Sequence, residues 1–120
     1  MKRALLVEDE GVVALLIESM LSELGYEVVG PIPRLPKALD IANAGSFDLA
    51  VLDVNLNGTP SFPVAEVMVA KGIPFLFATG YGAPGIPDYL NGTAVLQKPF
   101  KIQQLADAIG TAVDRQRGAK

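Results

Sequence analysis

Three acidic residues and one lysine of this sequence stand where predicted β-strands end, and their types suit phosphoryl chemistry. Glu8 and Asp9 follow one apolar run, Asp53 follows a second, and Lys98 follows a third. In an open parallel sheet the functional crevice lies beyond the carboxyl ends of the strands, so the four side chains are expected to meet there. Clustered carboxylates can hold a hard divalent cation, and an ammonium beside them can neutralise phosphoryl oxygens.

The same acidic residues predict a Mg²⁺ site. Mg²⁺ prefers octahedral oxygen coordination and commonly takes one or two protein carboxylates, with waters and phosphate oxygens completing the shell. We expect Asp9 and Asp53 to bind the ion directly, Glu8 to act through a metal-bound water, and the backbone carbonyl of Asn55 to contribute. Without a cation, clustered carboxylates raise one another's pKa, and a divalent ion would keep Asp53 ionised.

An ionised Asp53 is a candidate nucleophile toward phosphorus, because carboxylates form aspartyl-phosphates in established covalent mechanisms. Transfer then depends mainly on positioning and charge neutralisation. We expect Lys98 to pair with the phosphoryl oxygens and the hydroxyl of Thr79, at the end of another predicted strand, to donate a hydrogen bond to them. Each residue alone has an ordinary explanation, such as a helix cap, but together they favour a site.

Strands and helices alternate along the chain with short Gly- and Pro-containing connections, which is typical of βαβ units. The apolar runs predict five strands, at residues 3–7, 26–30, 47–52, 74–78 and 94–97. Helical periodicity predicts four helices, at residues 11–24, in a short stretch ending near 45, from about 63 to 72, and at 102–113. The sequence shows no repeat or linker, so we predict one α/β domain over residues 1–120.

The segment 80–92 interrupts this alternation, because a helix is expected there and the sequence disfavours one. Four glycines and two prolines occupy its thirteen positions, and both residue types are poor helix formers. We therefore predict a surface loop in place of the helix. A phosphoryl group on Asp53 that draws in the hydroxyl of Thr79 would order or reposition this loop.

Composition restricts the possible classes of function. Half of the 120 residues are hydrophobic, as expected for a parallel sheet buried on both faces, but no apolar stretch approaches the roughly 20 residues that cross a membrane. The net charge of -3 and the pI near 4.8 argue against nucleic-acid binding. The sequence has no cysteine, which excludes disulfides and thiolate metal sites. We expect a cytoplasmic protein that binds neither nucleic acid nor membrane.

Four short motifs together resemble the receiver domain of bacterial two-component response regulators. They are Val-Glu-Asp-Glu at residues 7–10, Leu-Asp-Val-Asn-Leu-Asn-Gly at 52–58, Ala-Thr-Gly at 78–80 and Gln-Lys-Pro-Phe at 97–100. The resemblance covers essentially the whole chain and implies a flavodoxin-like fold with five parallel strands in the order 2-1-3-4-5. It also implies that Asp53 accepts a phosphoryl group from a histidine of a sensor histidine kinase or phosphotransfer protein. The chain has no histidine, so a partner must supply one.

One stretch resembles a particular receiver subgroup. Residues 74–82, Pro-Phe-Leu-Phe-Ala-Thr-Gly-Tyr-Gly, match the subgroup named after its Phe-Ala-Thr-Gly motif, which tends to lack the fourth helix. Ordinary receivers place an aromatic switch residue three positions before the lysine, and here that position holds Val95. Tyr81 and Tyr89 are nearby aromatic residues, and the sequence assigns the role to neither.

The resemblance also predicts where partners bind. We expect docking around the first helix and the turn Lys98-Pro99-Phe100, with output through a downstream protein partner. Phe100 is either an exposed apolar anchor of this surface or packs beneath the last helix. We expect a signalling switch and not an enzyme with a separate substrate. Two alternatives stay open: an interaction module of the same fold that is not phosphorylated, and a small Mg²⁺-dependent phosphohydrolase.

Overall fold

A computed structural model describes residues 2–80, 85–90 and 92–118 of the chain, with residues 117 and 118 described by their backbone only. The main elements are β1 (Lys2–Val7), α1 (Gly11–Glu23), β2 (Tyr26–Ile32), α2 (Leu35–Ala44), β3 (Leu49–Asp53), α3 (Phe62–Lys71), β4 (Phe75–Thr79), β5 (Ala94–Gln97) and α4 (Ile102–Gly118). Two-residue strands, Asn55–Leu56 and Thr59–Pro60, form a hairpin between β3 and α3, and a 3₁₀ turn, Asp88–Leu90, precedes β5.

The five long strands form one parallel sheet in the order β2-β1-β3-β4-β5. This order confirms the predicted flavodoxin-like α/β fold. The described residues between β4 and β5 contain the 3₁₀ turn and no α-helix, as predicted for this segment. Residues 81–84 and 91, and with them Tyr81, lie outside the described part of the chain.

Helices cover both faces of the sheet and create two cores. Successive residues of β1 point to opposite faces, because side chains alternate along a strand. Leu5 joins the core that contains Met68 of α3, whereas Leu6 joins the core that contains Ile17 of α1 and Leu105 of α4. All five residues of β3, at the centre of the sheet, are buried. The faces are therefore closed, and polar side chains collect at the edge where the strands end.

Helix ends are closed by glycine and by one lysine. Gly72 caps α3 with φ of 70°, a left-handed conformation that glycine adopts without steric penalty. The ammonium of Lys71 donates hydrogen bonds to three carbonyl oxygens at the end of α2. Carbonyl groups at the end of a helix lack hydrogen-bond partners within the helix. These oxygens belong to Ala42 at 2.8 Å, Asn43 at 2.7 Å and Gly45 at 3.0 Å. The contacts fix α2 and α3 to each other.

Apart from shifts of one or two residues at other ends, such as β3 at Leu49–Asp53 instead of 47–52, the observed elements differ from the predicted ones in three places. β2 continues through Pro31 to Ile32. Proline has no N–H to donate, but β2 is an edge strand, and the backbone groups on its outer side have no neighbouring strand to pair with. α4 extends beyond residue 113 to Gly118. The residues after 113 are mostly polar and add no apolar face, so periodicity did not reveal them, but they form a helix readily enough to continue it. The hairpin after β3 was not predicted. No helix in the described ranges has the length and apolar character of a membrane span.

Candidate phosphoryl site

The parallel sheet brings three acidic side chains together at the ends of β1 and β3. Val7 and Leu52 are register partners in these neighbouring strands, so Glu8 and Asp53 follow them side by side. The N–H of Glu8 donates to the carbonyl oxygen of Ile32 on β2 at 3.1 Å, which fixes the backbone at this point. One carboxylate oxygen from each of Glu8, Asp9 and Asp53 lies within 4.8 Å of the others. The predicted acidic cluster therefore forms.

Lys98 completes the cluster from the end of β5. Its Nζ lies 2.8 Å from Oε1 of Glu8 and 3.4 Å from Oδ2 of Asp53; both acidic side chains are buried, and that of Lys98 is 9% exposed. The N–H of Lys98 donates to the carbonyl oxygen of Thr79 at 2.8 Å, so the backbone of β4 positions the lysine. Three carboxylates thus face one ammonium, which leaves two negative charges uncompensated when all are ionised. This excess charge suits a divalent cation.

The electrostatics of the site act most strongly on Asp53. Burial, followed by the hydrogen-bonding contacts with Glu8 and Asp9 and by the charge of Glu8, raises the pKa of Asp53 to about 8, although Lys98 opposes the shift. Burial alone would lower the pKa of Lys98, but its contacts with Glu8 and then with Asp53 outweigh that effect and raise it. In the absence of a cation, Asp53 therefore holds its proton near neutral pH while Lys98 stays charged.

Asn55 has two structural roles beside Asp53. Its N–H donates to Oδ1 of Asp53 at 3.2 Å, and its side-chain oxygen accepts a hydrogen bond from the N–H of Gly58 at 2.7 Å. Asn57 and Gly58 both have positive φ, 53° and 92°, which is the conformation of a tight hairpin turn. The Asn-Gly pair was the signal that could have predicted this hairpin. The side chain of Asn55 therefore supports the turn, while its backbone N–H orients the carboxyl of Asp53.

The predicted site residues line one open depression. Asp9, Asp53, Asn55, Thr79 and Lys98 all border it. Thr79 is buried at the end of β4 and contributes to the wall of the depression opposite β1. Glu8 lies beneath, fully buried against Lys98. All six residues that the sequence identified are therefore close together, at the ends of β1, β3, β4 and β5.

The aromatic residues near the site differ in exposure. Phe100 is only 9% exposed and packs in the core between α1 and α4, so the possibility of an exposed anchor is wrong and the packing alternative is confirmed. Val95 is half-buried and packs against the core on the α3 side. Tyr89 is 61% exposed, and its hydroxyl donates to Oε2 of Glu66 on α3 at 2.8 Å.

An apolar surface lies beside the depression and was not predicted in detail. Val12, Leu15 and Leu16 of α1 are 83%, 65% and 50% exposed. Leu16 also lines a groove that continues to Pro99 and Phe100. The signal was present in the sequence, because residues 12–17 are six consecutive apolar residues and one buried helix face cannot accommodate all of them.

Comparison with known proteins identifies relatives of this chain. The sequence model of the Response regulator receiver domain matches residues 4–110. The Transcriptional regulatory protein PdtaR of Mycobacterium tuberculosis is 31% identical over 120 residues, which cover 97% of this chain and 58% of that protein. The chain therefore spans little more than half the length of this relative.

Two solved structures share the fold closely. SdrG from Sphingomonas melonis has a TM-score of 0.85 and 38% identity, covering 94% of this chain and 97% of that chain. The receiver domain of the sensor histidine kinase PA1611 from Pseudomonas aeruginosa has a TM-score of 0.79 and 25% identity, covering 94% of this chain and 98% of that chain. The PA1611 structure holds a magnesium ion in its active site cleft.

Proposed function

Because this chain belongs to the response regulator receiver domain family of two-component systems, we propose that it is a phosphorylatable signalling switch with Asp53 as the phosphoacceptor. The observation that carries this proposal is the buried arrangement of Lys98 between Glu8 and Asp53, with Asp9 beside them. A lysine held by two carboxylates at the edge of a sheet is placed to neutralise the oxygens of a group attached to one of them.

In the proposed reaction, one carboxylate oxygen of Asp53 forms a bond to phosphorus. The bond between phosphorus and the imidazole nitrogen of the partner's phosphohistidine breaks, and its electron pair returns to the imidazole. The N–H of Asn55 holds Oδ1 of Asp53, and Oδ2 lies on the Lys98 side. Lys98 and the hydroxyl of Thr79 would then bind oxygens of the transferred group, as their positions around the depression support.

We propose Mg²⁺ as the cofactor, held directly by Asp9, Asp53 and the carbonyl of Asn55, and through water by Glu8. Support comes from the two uncompensated negative charges and from the pKa of Asp53 near 8, since a protonated carboxyl is a poor nucleophile. When bound, the ion supplies charge that keeps Asp53 ionised and offsets the phosphoryl charge. The magnesium ion in the PA1611 receiver cleft, at 25% identity, supports Mg²⁺ as the cofactor.

The proposal extends to partners. A sensor histidine kinase or phosphotransfer protein would supply the phosphoryl group in the cytoplasm, and a downstream protein would read the change. The exposed side chains of Val12, Leu15 and Leu16 support a docking surface on α1, beside the depression. The Phe-Ala-Thr-Gly motif, together with the absence of an α-helix from the described residues of 80–92, supports membership of the corresponding receiver subgroup.

Incubation with Mg²⁺ and acetyl phosphate tests the proposal. We expect the intact mass to increase by one phosphoryl group per chain, with the modification mapped to Asp53, and we expect Asp53→Asn to stay unmodified. Asp40→Asn, which replaces an exposed carboxyl on α2, serves as the matched control. No mass gain in the wild type would favour an interaction module that is not phosphorylated, and rapid multiple turnovers would favour a phosphohydrolase.

A further inference from the structure

The turn that replaces the helix between β4 and β5 is fixed at two points. Leu90 is buried in the core, which anchors the turn Asp88–Leu90 from below. Tyr89 next to it is mostly exposed, yet its hydroxyl donates to Oε2 of Glu66 on α3 at 2.8 Å. This hydrogen bond joins the turn laterally to a different element.

Glu66 is linked to the phosphoacceptor through the start of α3. The short hairpin leads from Asp53 to Ser61, and the N–H of Ser61 donates to the carbonyl oxygen of Val54 at 3.0 Å. α3 begins at the next residue, Phe62. The helix that carries Glu66 is therefore held directly to the loop after Asp53.

Tyr89 is linked to the same site through Gly85. This glycine lines a depression together with Asn55, Phe62 and Thr79, so it lies beside the phosphoacceptor loop. From there the chain reaches the turn within four residues, the distance in sequence from 85 to 89. The Tyr89–Glu66 hydrogen bond thus joins two segments that both lead away from the site.

We propose that this hydrogen bond is a latch that holds the turn against α3 in the unphosphorylated protein and opens when a phosphoryl group on Asp53 draws Thr79 inward. The proposal rests on the proposed function and names its conformational element. Val95, at the position of the usual aromatic switch residue, has no ring to turn and packs against the core. Because Gly85 lines the same depression as Thr79, an inward shift of Thr79 would instead be passed through Gly85 to the turn and stretch the contact between Tyr89 and Glu66.

The position of the latch makes it weak and reversible. Both side chains are exposed, so water can replace the hydrogen bond when it breaks. A contact made in only one of two arrangements shifts the equilibrium between them by its own free energy. Removal of the latch should therefore favour the phosphorylated arrangement and raise the affinity for a phosphoryl mimic by roughly two- to fivefold, the range expected for one exposed hydrogen bond.

A double-mutant cycle tests the latch. Calorimetric titration with beryllofluoride in excess Mg²⁺ gives the apparent affinity of the wild type, Tyr89→Phe, Glu66→Ala and the double variant. We expect each single variant to bind roughly two- to fivefold more tightly and the double variant to bind no more tightly than either. Glu66→Gln is the matched control, because its amide oxygen still accepts a hydrogen bond and should preserve the wild-type affinity.

Hydrogen exchange provides a second measurement. Residues 85–90 should exchange faster in Tyr89→Phe than in the wild type before beryllofluoride is added, and equally fast afterwards. Unchanged affinities in the single variants, or independent additive effects in the double variant, would overturn the latch while leaving the proposed function intact. A wild type that binds no beryllofluoride in Mg²⁺ would overturn the proposed function and the latch with it.

Discussion

Without a metal ion, the wild-type protein should lose stability as the pH rises, because Asp53 gives up its proton. Asp53→Asn should not show this loss. The pKa of Asp53 is raised from 3.8 to about 8, mainly by burial and then by Glu8 and Asp9. The folded protein therefore binds this proton more tightly than the unfolded chain does. The resulting stabilisation is complete below the unfolded pKa and is lost as the pH rises through 8. Wild-type protein should lose stability over this range, and Asp53→Asn should lack this component.

The size of the effect follows from linkage. Between about pH 5 and about pH 7, Asp53 is ionised in the unfolded chain and protonated in the fold, so stability falls by about 1.4 kcal/mol per pH unit at most. Two units give an upper limit of about 2.8 kcal/mol. Water reaches the open depression and screens part of this effect, so we expect the two proteins to diverge by about 1–2 kcal/mol.

Urea unfolding in EDTA measures this divergence across the pH range. Asp40→Asn, with the same chemical change at an exposed position of α2, should follow the wild-type profile. Excess Mg²⁺ should remove the difference in slope, because a bound cation keeps Asp53 ionised, and should stabilise the wild type through mass action. Parallel profiles of wild type and Asp53→Asn in EDTA would refute the reasoning, since they would show that the fold does not favour the protonated carboxyl.

Three further predictions concern the site and the surface beside it. Asp9→Asn should abolish most of the increase in melting temperature that Mg²⁺ gives the wild type, and an undiminished increase would exclude Asp9 as a ligand. Lys98→Ala leaves the buried carboxyl of Glu8 without its cation, so urea unfolding should show a loss of about 3 kcal/mol and acetyl phosphate should label the variant poorly. Leu16→Ser removes an exposed apolar side chain, so it should change the free energy of unfolding by less than about 0.5 kcal/mol and leave labelling by acetyl phosphate intact. The same variant should slow phosphoryl transfer from a phosphohistidine partner. Equal transfer rates in that comparison would contradict docking on α1.

The sequence alone determined the fold class and the membership of the site. β3 could be predicted because a central parallel strand is buried on both faces and reads as a nearly continuous apolar run. The residue that ends such a run lies at the carboxyl edge of the sheet, whatever the details of packing. Glu8, Asp9, Asp53 and Lys98 were therefore assigned to one edge from their positions in the chain. The glycines and prolines of 80–92 likewise disfavoured a helix through local conformational preference, which does not depend on distant residues.

Only the tertiary structure decided which of these groups touch and which side chains face solvent. Lys98 lies closer to Glu8 than to Asp53, and its charge opposes but does not outweigh the burial that raises the pKa of Asp53. Phe100 is buried because α1 and α4 close over it, although its sequence context fitted an exposed anchor equally well. The contact of Tyr89 with Glu66 joins residues 23 positions apart. Such contacts depend on how separate elements pack against each other, and no local pattern of residue types specifies that geometry.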